Sequence, residues 1–593
     1  MSDFTTRPEI RGTFGVVTST HWIASSVGMA ILERGGNAFD SAVATGLALQ
    51  VVEPHLNGPA GDMPAIFHSA KTGETQVLCG QGPAPAAATI AHYKAQGLEL
   101  IPGSGLLATV VPGAFDAWML MLRDHGTMYL RDVMQPAIDY ARDGHPVLPR
   151  VAATIEGLAD FFAQEWPTSE AVWAPSGQAP KPHGLFKNPD LADTYDRLAR
   201  SEGATREAQI DKARETWRTG FVAEAIFDYL EDAHVMDVSG APHSAVLAPE
   251  DIASWRATYE APLTYRYDGW QFHKTGPWSQ GPVLLQALAI LKGFDLSAMD
   301  PNGADFVHLV VEAMKLAYAD REAYYGDPTQ SDIPIGHLLS EDYNAERRML
   351  IEQTASQDQR PGRVPGFEHL ADAYLKRAAR DFNVGAVAAQ EPTMSHLTEK
   401  RGDTVHLDVI DRWGNMVSAT PSGGWLQSSP VIPGLGFPLN SRAQMFWLDD
   451  DLPTSLAPGR RPRTTLTPSL AEKDGVQLVF GTPGGDQQDQ WQLIWFLRFA
   501  HFGLGLQECM DMPLFHSMHF QGSFFPREVK AGEMMIEENV GKATIAELRA
   551  RGHKVTVADT WTVGRLTAAM READGTLRAA ATPRLMQAYA VGR

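Results

Sequence analysis

The chain has 593 residues, 44% of them apolar and 20% charged, enough to bury a large core in more than one lobe. Its net charge of −21 argues against nucleic acid and against an anionic membrane surface, both of which are bound through clustered Lys and Arg. The two cysteines, Cys79 and Cys509, cannot make a disulfide framework, and neither has the CxxC or His-rich surroundings of a thiol or zinc site.

The N-terminal MSDFTTRPEIRGTFG lacks a basic start followed by an apolar stretch, so no signal peptide is expected and the expected location is cytoplasmic. No apolar run approaches the roughly 18 residues of a membrane span. From His21 to Glu33 the apolar positions Ile23, Val27 and Ile31 recur at helical spacing, and Gly35-Gly36-Asn37 stops the helix. Asp40 to Val52 is apolar nearly all round, as a helix inside a large core would be. PHLNGPAGDMP, from Pro54 to Pro64, reads as a Gly/Pro-rich loop, with a strand resuming at Ala65. Phe306 to Tyr318 predicts an amphipathic helix. From about 352 to 403 the composition turns polar, which predicts an exposed, partly mobile connector.

After the connector the pattern becomes β. Thr404 to Ile410 alternates apolar and polar residues as a half-buried strand does, Arg412 to Asn415 supplies a turn, and Met416 to Thr420 returns as its partner. Val476 to Phe480 predicts another strand, followed by GTPGGD and a helix rich in Trp, Leu and Phe.

The break at Asp403-Thr404 suits a particular chemistry. A threonine hydroxyl is a weak nucleophile that needs a neighbouring base. A threonine at a free N-terminus carries one, because its α-amino group titrates at about 7.7–8.0. An internal threonine gains that amine only when the preceding peptide bond is cut, and a flexible connector leading into a strand permits the attack. On its own this signal is weak, since a threonine opening a strand is commonplace. Two features add to it. Gly484 and Gly485 lie between a strand and a helix, where their N–H groups can face a developing oxyanion. Ser422, Thr464 and Thr465 supply hydroxyls that can orient a nucleophile or hold a carboxylate.

These residues lie in or beside a series of segments that, in order, resembles the γ-glutamyltransferases of the N-terminal-nucleophile hydrolase superfamily. The series runs ILERGGNAFDSAVATGLALQVVEP, VPGAFDAWMLMLRDHGTM, QPAIDYARDGHPV, HLVVEAMKLAYADREAYYGDP, DTVHLDVIDRWGNMVSAT, RPRTTLTPSL and GTPGGD. The resemblance implies an α/β (α+β) fold, a four-layer αββα sandwich, made as a precursor. Self-cleavage between Asp403 and Thr404 would give a large subunit, 1–403, and a small catalytic subunit, 404–593. It implies Thr404 as nucleophile, Ser422 as the hydroxyl that steadies it, Thr464 and Thr465 as carboxylate-binding hydroxyls, and Gly484 and Gly485 as oxyanion donors. It implies no metal and no cofactor. Its substrates would be small amides, either γ-glutamyl compounds of the glutathione kind or half-amides of dicarboxylic acids. A homo-oligomer of the processed pair is left open.

The chain departs from the family where the substrate would bind. Gln81 stands in place of an arginine that grips the glutamyl α-carboxylate, and Gly424 in place of an asparagine. Arg442 and Met445 replace the glutamine and aspartate that hold the α-amino group. The lid segment from Asp449 to Arg460 is short and lacks a tyrosine. With no anion evident to meet an amino group, the expectation is an altered acyl specificity, with Arg442 pairing with a carboxylate on the acyl chain. A structural ion pair for Arg442 is an equal alternative. The competing function is an unprocessed scaffold or binding protein of the same fold. PWSQG around Ser279 lacks the first glycine of a nucleophile elbow, and His516 and His519, three apart, read more simply as satisfied core or surface histidines than as metal ligands.

Overall fold

The computed structural model describes residues 4–380 and 404–593. Its centre is a pair of seven-stranded sheets. In spatial order the first runs Ile10–Gly12, Leu577–Ala581, Thr567–Arg571, Val476–Gly481, Ser469–Lys473, Trp270–Lys274 and Leu263–Tyr267. The second runs Tyr589–Gly592, Gly15–Ser19, Leu407–Asp411, Met416–Ala419, Met63–Ser69, Glu74–Gly80 and Thr258–Glu260. All neighbours within both sheets are antiparallel. Each sheet mixes strands from before residue 381 with strands from after residue 403.

The sheets face each other across Val16, Ile66, Val77, Ile410 and Met416 on one side and Leu470, Val479, Ala569, Leu577 and Ala579 on the other. Helices cover both outer faces. Trp22–Glu33, Ala38–Val52, Ala114–His125 and Leu130–Asp143 share an apolar core with Leu407, Val409 and Val417 of the second sheet. Pro282–Leu291, Ala304–Tyr324 and Gln488–Phe502 pack over Phe272, Leu478 and Phe480 of the first. The result is the expected four-layer αββα sandwich. Burial on both sides explains why Ala38–Val52 is apolar all round: every one of its residues is buried.

Several sequence expectations shift. The strand expected from Thr404 begins at Leu407 and is buried on both faces, because the facing sheet covers the side that alternation assigned to water. The helix predicted from Phe306 to Tyr318 spans Ala304–Tyr324 and is almost wholly buried rather than amphipathic. Asn37, read as part of a helix stop, caps the next helix: its side chain accepts from Phe39 and Asp40 N–H, and Asp40 returns a bond to the Asn37 N–H. The proposed connector is irregular and largely exposed over 352–367 and is corrected only beyond that. Glu368–Ala378 is a helix that buries Leu370, Ala371, Tyr374 and Arg377. Residues 381–403, including Asp403, lie outside the described residues.

No helix among the described residues is long and apolar enough to cross a membrane. Both cysteines are free and buried, in different apolar clusters.

Candidate active site

Thr404 is fully buried at the entry to Leu407–Asp411, an interior strand of the second sheet. Its Oγ1 lies 3.1 Å from Ser422 Oγ, and the Val405 N–H donates to the Pro421 carbonyl (3.1 Å). The hairpin register that pairs Leu407 with Ala419 therefore continues into the loop and brings the two hydroxyls together.

Behind them is a polar layer between the sheets. His406 Nε2 lies 2.9 Å from Asp408 Oδ1 and its Nδ1 lies 2.9 Å from Thr420 Oγ1. Asp408 also accepts from Ser418 (2.8 Å), Thr18 (3.0 Å) and Thr567 (2.7 Å). The carboxylate thus joins three strands of one sheet to one strand of the other. It uses His406 as a donor and so aims the other ring nitrogen at Thr420. Both ring nitrogens of His406 are committed to this network.

On the other side of Ser422 is a residue that sequence reasoning missed. Asp62 exchanges backbone hydrogen bonds with Ser422 (2.8 and 2.9 Å). Its Oδ1 accepts from Arg442 Nε at 2.9 Å and its Oδ2 from Thr464 Oγ1 at 3.5 Å. Both members of the ion pair are buried. Burial pushes the Asp62 carboxyl up, against the pull of Arg442. Among the described residues Arg442 Nη1 and Nη2 have no hydrogen-bond partner, nor does Thr465 Oγ1. The Arg442 guanidinium lies 4.9 Å from the Trp425 ring centroid. Arg442 is therefore half committed: one edge is in an ion pair and the other carries donors with nothing to meet. The hint was a single charged residue, Asp62, inside an otherwise Gly/Pro-rich loop.

The glycines make these approaches possible. A Cβ on Gly61 would stand 2.1 Å from the Ser422 carbonyl oxygen, and one on Gly58 would stand 2.2 Å from that of Gly424. Gly424 has φ +62. At the other wall Gly484 has φ +131 and Gly485 φ +52, both left-handed, and a Cβ on Gly484 would stand 2.1 Å from the Trp491 ring. They lead directly into the short turn Gly485–Gln487 and the helix Gln488–Phe502.

A buried ionic group backs this loop. Asp486 accepts from Arg321 (2.6 Å) and from the Ser523 N–H (2.8 Å) and hydroxyl (2.6 Å). Arg463 donates to Ser523 (2.9 Å) and pairs with Glu322 (3.0 Å). Burial works against the Asp486 carboxylate, yet Arg321 and Arg463 hold it below its ordinary range. Because Arg463 precedes Thr464, one network fixes both the glycine loop and the hydroxyl pair.

The remaining expected residues sit apart from this contact set. Gln81 is buried with its Nε2 on the carbonyl of Gly82 (3.1 Å). The lid segment is tied down near it: Ala84 N donates to the Arg460 carbonyl (2.8 Å) and Gly459 N to that of Ala84 (2.9 Å). Ser279 Oγ bonds Thr275 and Gly276, and its backbone pairs with Thr464, which is a structural role. His516 lies in a strand, not on a helix, and takes the Trp491 indole N–H (3.3 Å). His519 takes the Gly532 N–H (2.7 Å). Among the described residues His308, Glu312 and His553 stand within metal-binding reach, but Glu312 is already paired with Lys315 and Arg360.

Comparison with known proteins adds the following. Residues 24–592 match the family model for Gamma-glutamyltranspeptidase. The Glutathione hydrolase-like YwrD proenzyme of Bacillus subtilis (strain 168) is 29% identical over 578 residues, covering 97% of each chain. The Oxamate amidohydrolase proenzyme of Klebsiella pneumoniae is 30% identical, over 96% of this chain and 97% of its own. Among solved structures, LmbA2991HD is 53% identical with a TM-score of 0.91 over the whole of both chains. The cephalosporin acylase of Bacillus halodurans is 28% identical with a TM-score of 0.82, over 100% of this chain and 98% of its own.

Proposed function

The chain belongs to the γ-glutamyltranspeptidase family, and on that footing we propose that it cuts itself between Asp403 and Thr404 and then uses the freed Thr404 to hydrolyse or transfer the acyl group of an amide. It is an autoprocessed amidohydrolase of the N-terminal-nucleophile kind. The observation that carries the assignment of the nucleophile is the 3.1 Å approach of Thr404 Oγ1 to Ser422 Oγ, buried at the head of the strand Leu407–Asp411.

In the precursor, Thr404 Oγ1 attacks the Asp403 carbonyl carbon. The C–N bond breaks, an ester forms and the threonine nitrogen takes up a proton. Water then hydrolyses the ester, leaving 1–403 with a new carboxylate and 404–593 with a free amine. In catalysis that amine accepts the Oγ1 proton as Oγ1 attacks the substrate carbonyl. Gly484 and Gly485 N–H groups donate to the oxyanion, and the leaving amine carries the proton away. Water or a second amine releases the acyl group, and the short lid favours water. Ser422 steadies the nucleophile.

The acyl group is held by Arg442, Thr464 and Thr465, with Gly424 in the loop beside them. The free edge of Arg442 offers two parallel donors, which fits a carboxylate on the acyl chain. Asp62, the carboxylate beside it, is already engaged by Arg442 and Thr464. A glutaryl amide is therefore expected to react faster than its γ-glutamyl counterpart, and a clear preference for γ-glutamyl anilide would remove this acyl assignment.

A denaturing gel tests the processing. Wild type is expected as two chains corresponding to 1–403 and 404–593, and Thr404→Ala as one. An intact backbone in active wild-type material, or full activity in Thr404→Ala, would overturn the mechanism, and an uncut inactive chain would favour a scaffold.

A further inference from the structure

Behind the hydroxyl pair, a second buried network joins the two walls of the site. Thr467 stands two residues after Thr465, and each of its polar groups is held. Its N–H donates to Gln488 Oε1 (3.3 Å) and its hydroxyl to Asp489 Oδ1 (3.0 Å). Its carbonyl accepts from Gln492 Nε2 (3.0 Å) and from Lys274 Nζ (3.2 Å). Gln488, Asp489 and Gln492 lie at the start of the helix Gln488–Phe502, which the turn Gly485–Gln487 joins to the glycine loop.

Lys274, the last residue of the strand Trp270–Lys274, completes the join. An ammonium has three hydrogens to donate. Its three partners are Asp489 Oδ1 (3.2 Å), the Thr467 carbonyl and Ser469 Oγ (2.8 Å). Just beyond Lys274, the Trp278 carbonyl accepts the Thr464 N–H (2.9 Å). Lys274, Thr467, Ser469, Gln488, Asp489 and Gln492 are all fully buried. A buried ion pair adds little net stability over an apolar pair of the same volume, so stability alone does not account for one placed here.

Asp489 Oδ2 has no partner among the described residues, so Oδ1 holds both Thr467 and Lys274. A proton on Asp489 would leave Lys274 a buried cation without its counter-charge and loosen both contacts. Burial raises the Asp489 carboxyl to about 6 against the pull of Lys274, and it lowers the Lys274 ammonium in spite of Asp489. The other charged or titratable groups facing Asp489 are Arg321, Tyr318 and Tyr325. Arg321 is already engaged by Asp486 and Glu322. Burial pushes both tyrosines well up, so they stay neutral.

We propose that Lys274, Thr467 and Asp489 are positioning residues that clamp the hydroxyls of Thr464 and Thr465 to the glycine loop, and that the clamp holds only while Asp489 is charged. It rests on Thr464 and Thr465 binding the acyl group and on Gly484 and Gly485 donating to the oxyanion. None of the three touches substrate. They act by fixing the distance between the group that holds the acyl chain and the donors that meet the transition state.

The test follows kcat and KM of processed enzyme from about pH 5 to 8, with whichever anilide, glutaryl or γ-glutamyl, is cut faster. Each sample is returned to the upper pH to show that it stayed folded. Wild type loses activity as the Thr404 amine gains a proton and again near 6 as Asp489 does, so the slope of log kcat/KM approaches two at the acid end. Asp489→Asn is expected to keep a slope of one, with kcat lowered roughly 10- to 100-fold at the upper pH and KM little changed. A slope of one in wild type, or a slope of two or full kcat in folded Asp489→Asn, would overturn the proposal. Joint replacement by Lys274→Met and Asp489→Leu removes both charges and is expected to regain stability but not kcat. Recovery of both would leave the pair a purely structural role and overturn the clamp. If neither variant folds, the wild-type slope decides. Full kcat in Gly484→Ala would sink the oxyanion reading beneath the clamp, whereas a slow Gly484→Ala beside a normal Asp489→Asn sinks the clamp alone.

Discussion

At the scale of single residues the site is a set of buried charges whose partners are one deep. Among the described residues Asp62 is the only carboxylate paired with Arg442. Asp62→Ala therefore leaves a buried cation uncompensated, which costs about 3–5 kcal/mol. A clear fall in melting temperature, larger than for a surface Asp→Ala control, is the expected result. Asp408→Asn replaces a carboxylate that accepts from four groups with an amide that can satisfy fewer of them. At about 1.5–3 kcal/mol for a hydrogen bond to a charged group, the variant should be less stable and should accumulate uncut precursor on a gel. Sequence reasoning reached Thr404 from the break before a strand, Ser422 and Thr464 as hydroxyls, and Arg442 only through the family resemblance. It passed over Asp62, since nothing local to a Gly/Pro loop says that it will fold against residue 422.

Among elements, the most constrained is the strand–loop–helix unit Val476–Gly481, Thr482–Gly484 and Gly485–Phe502. Gly484→Ala must fit a Cβ 2.1 Å from Trp491 at a φ of +131, so the loop has to shift. Shifted oxyanion donors predict a fall in kcat of about 10²–10³, the size seen when one such donor is lost, with processing slowed alongside. Strand and helix positions here were legible because apolar runs and GTPGGD mark them. The faces were not. Alternation predicts a half-buried strand after Thr404, and only the facing first sheet, whose strands come from residues 10–12, 263–274 and 469–581, explains why it is buried throughout.

For the molecule as a whole, buried histidines set the response to acid. Burial lowers His21, His516 and His553 to about 3 and His145 and His519 to about 4. The unfolded chain protonates them near 6.5, so between those values it binds protons that the folded chain refuses. Their contribution is complete above pH 6.5 and is lost as pH falls, by up to about 1.4 kcal/mol per pH unit for each group. Asp62 and Glu53, raised by burial, act in the opposite sense and favour the folded state at low pH, but they are fewer. The melting temperature is expected to drop steeply from pH 6.5 to 4.5, and a flat profile over that range would contradict the burial of these rings.

Both sheets draw strands from either side of the 381–403 interval. A backbone nick there would release no lobe, because neither piece owns a complete sheet. The nick would show only after denaturation, when recovery becomes a meeting of two chains instead of the collapse of one. Renaturation of cut enzyme should then slow on dilution, while uncut Thr404→Ala should recover at a rate independent of concentration. The enzyme would thus be assembled once, as a single polymer, and inherit a shape that its parts would struggle to find again.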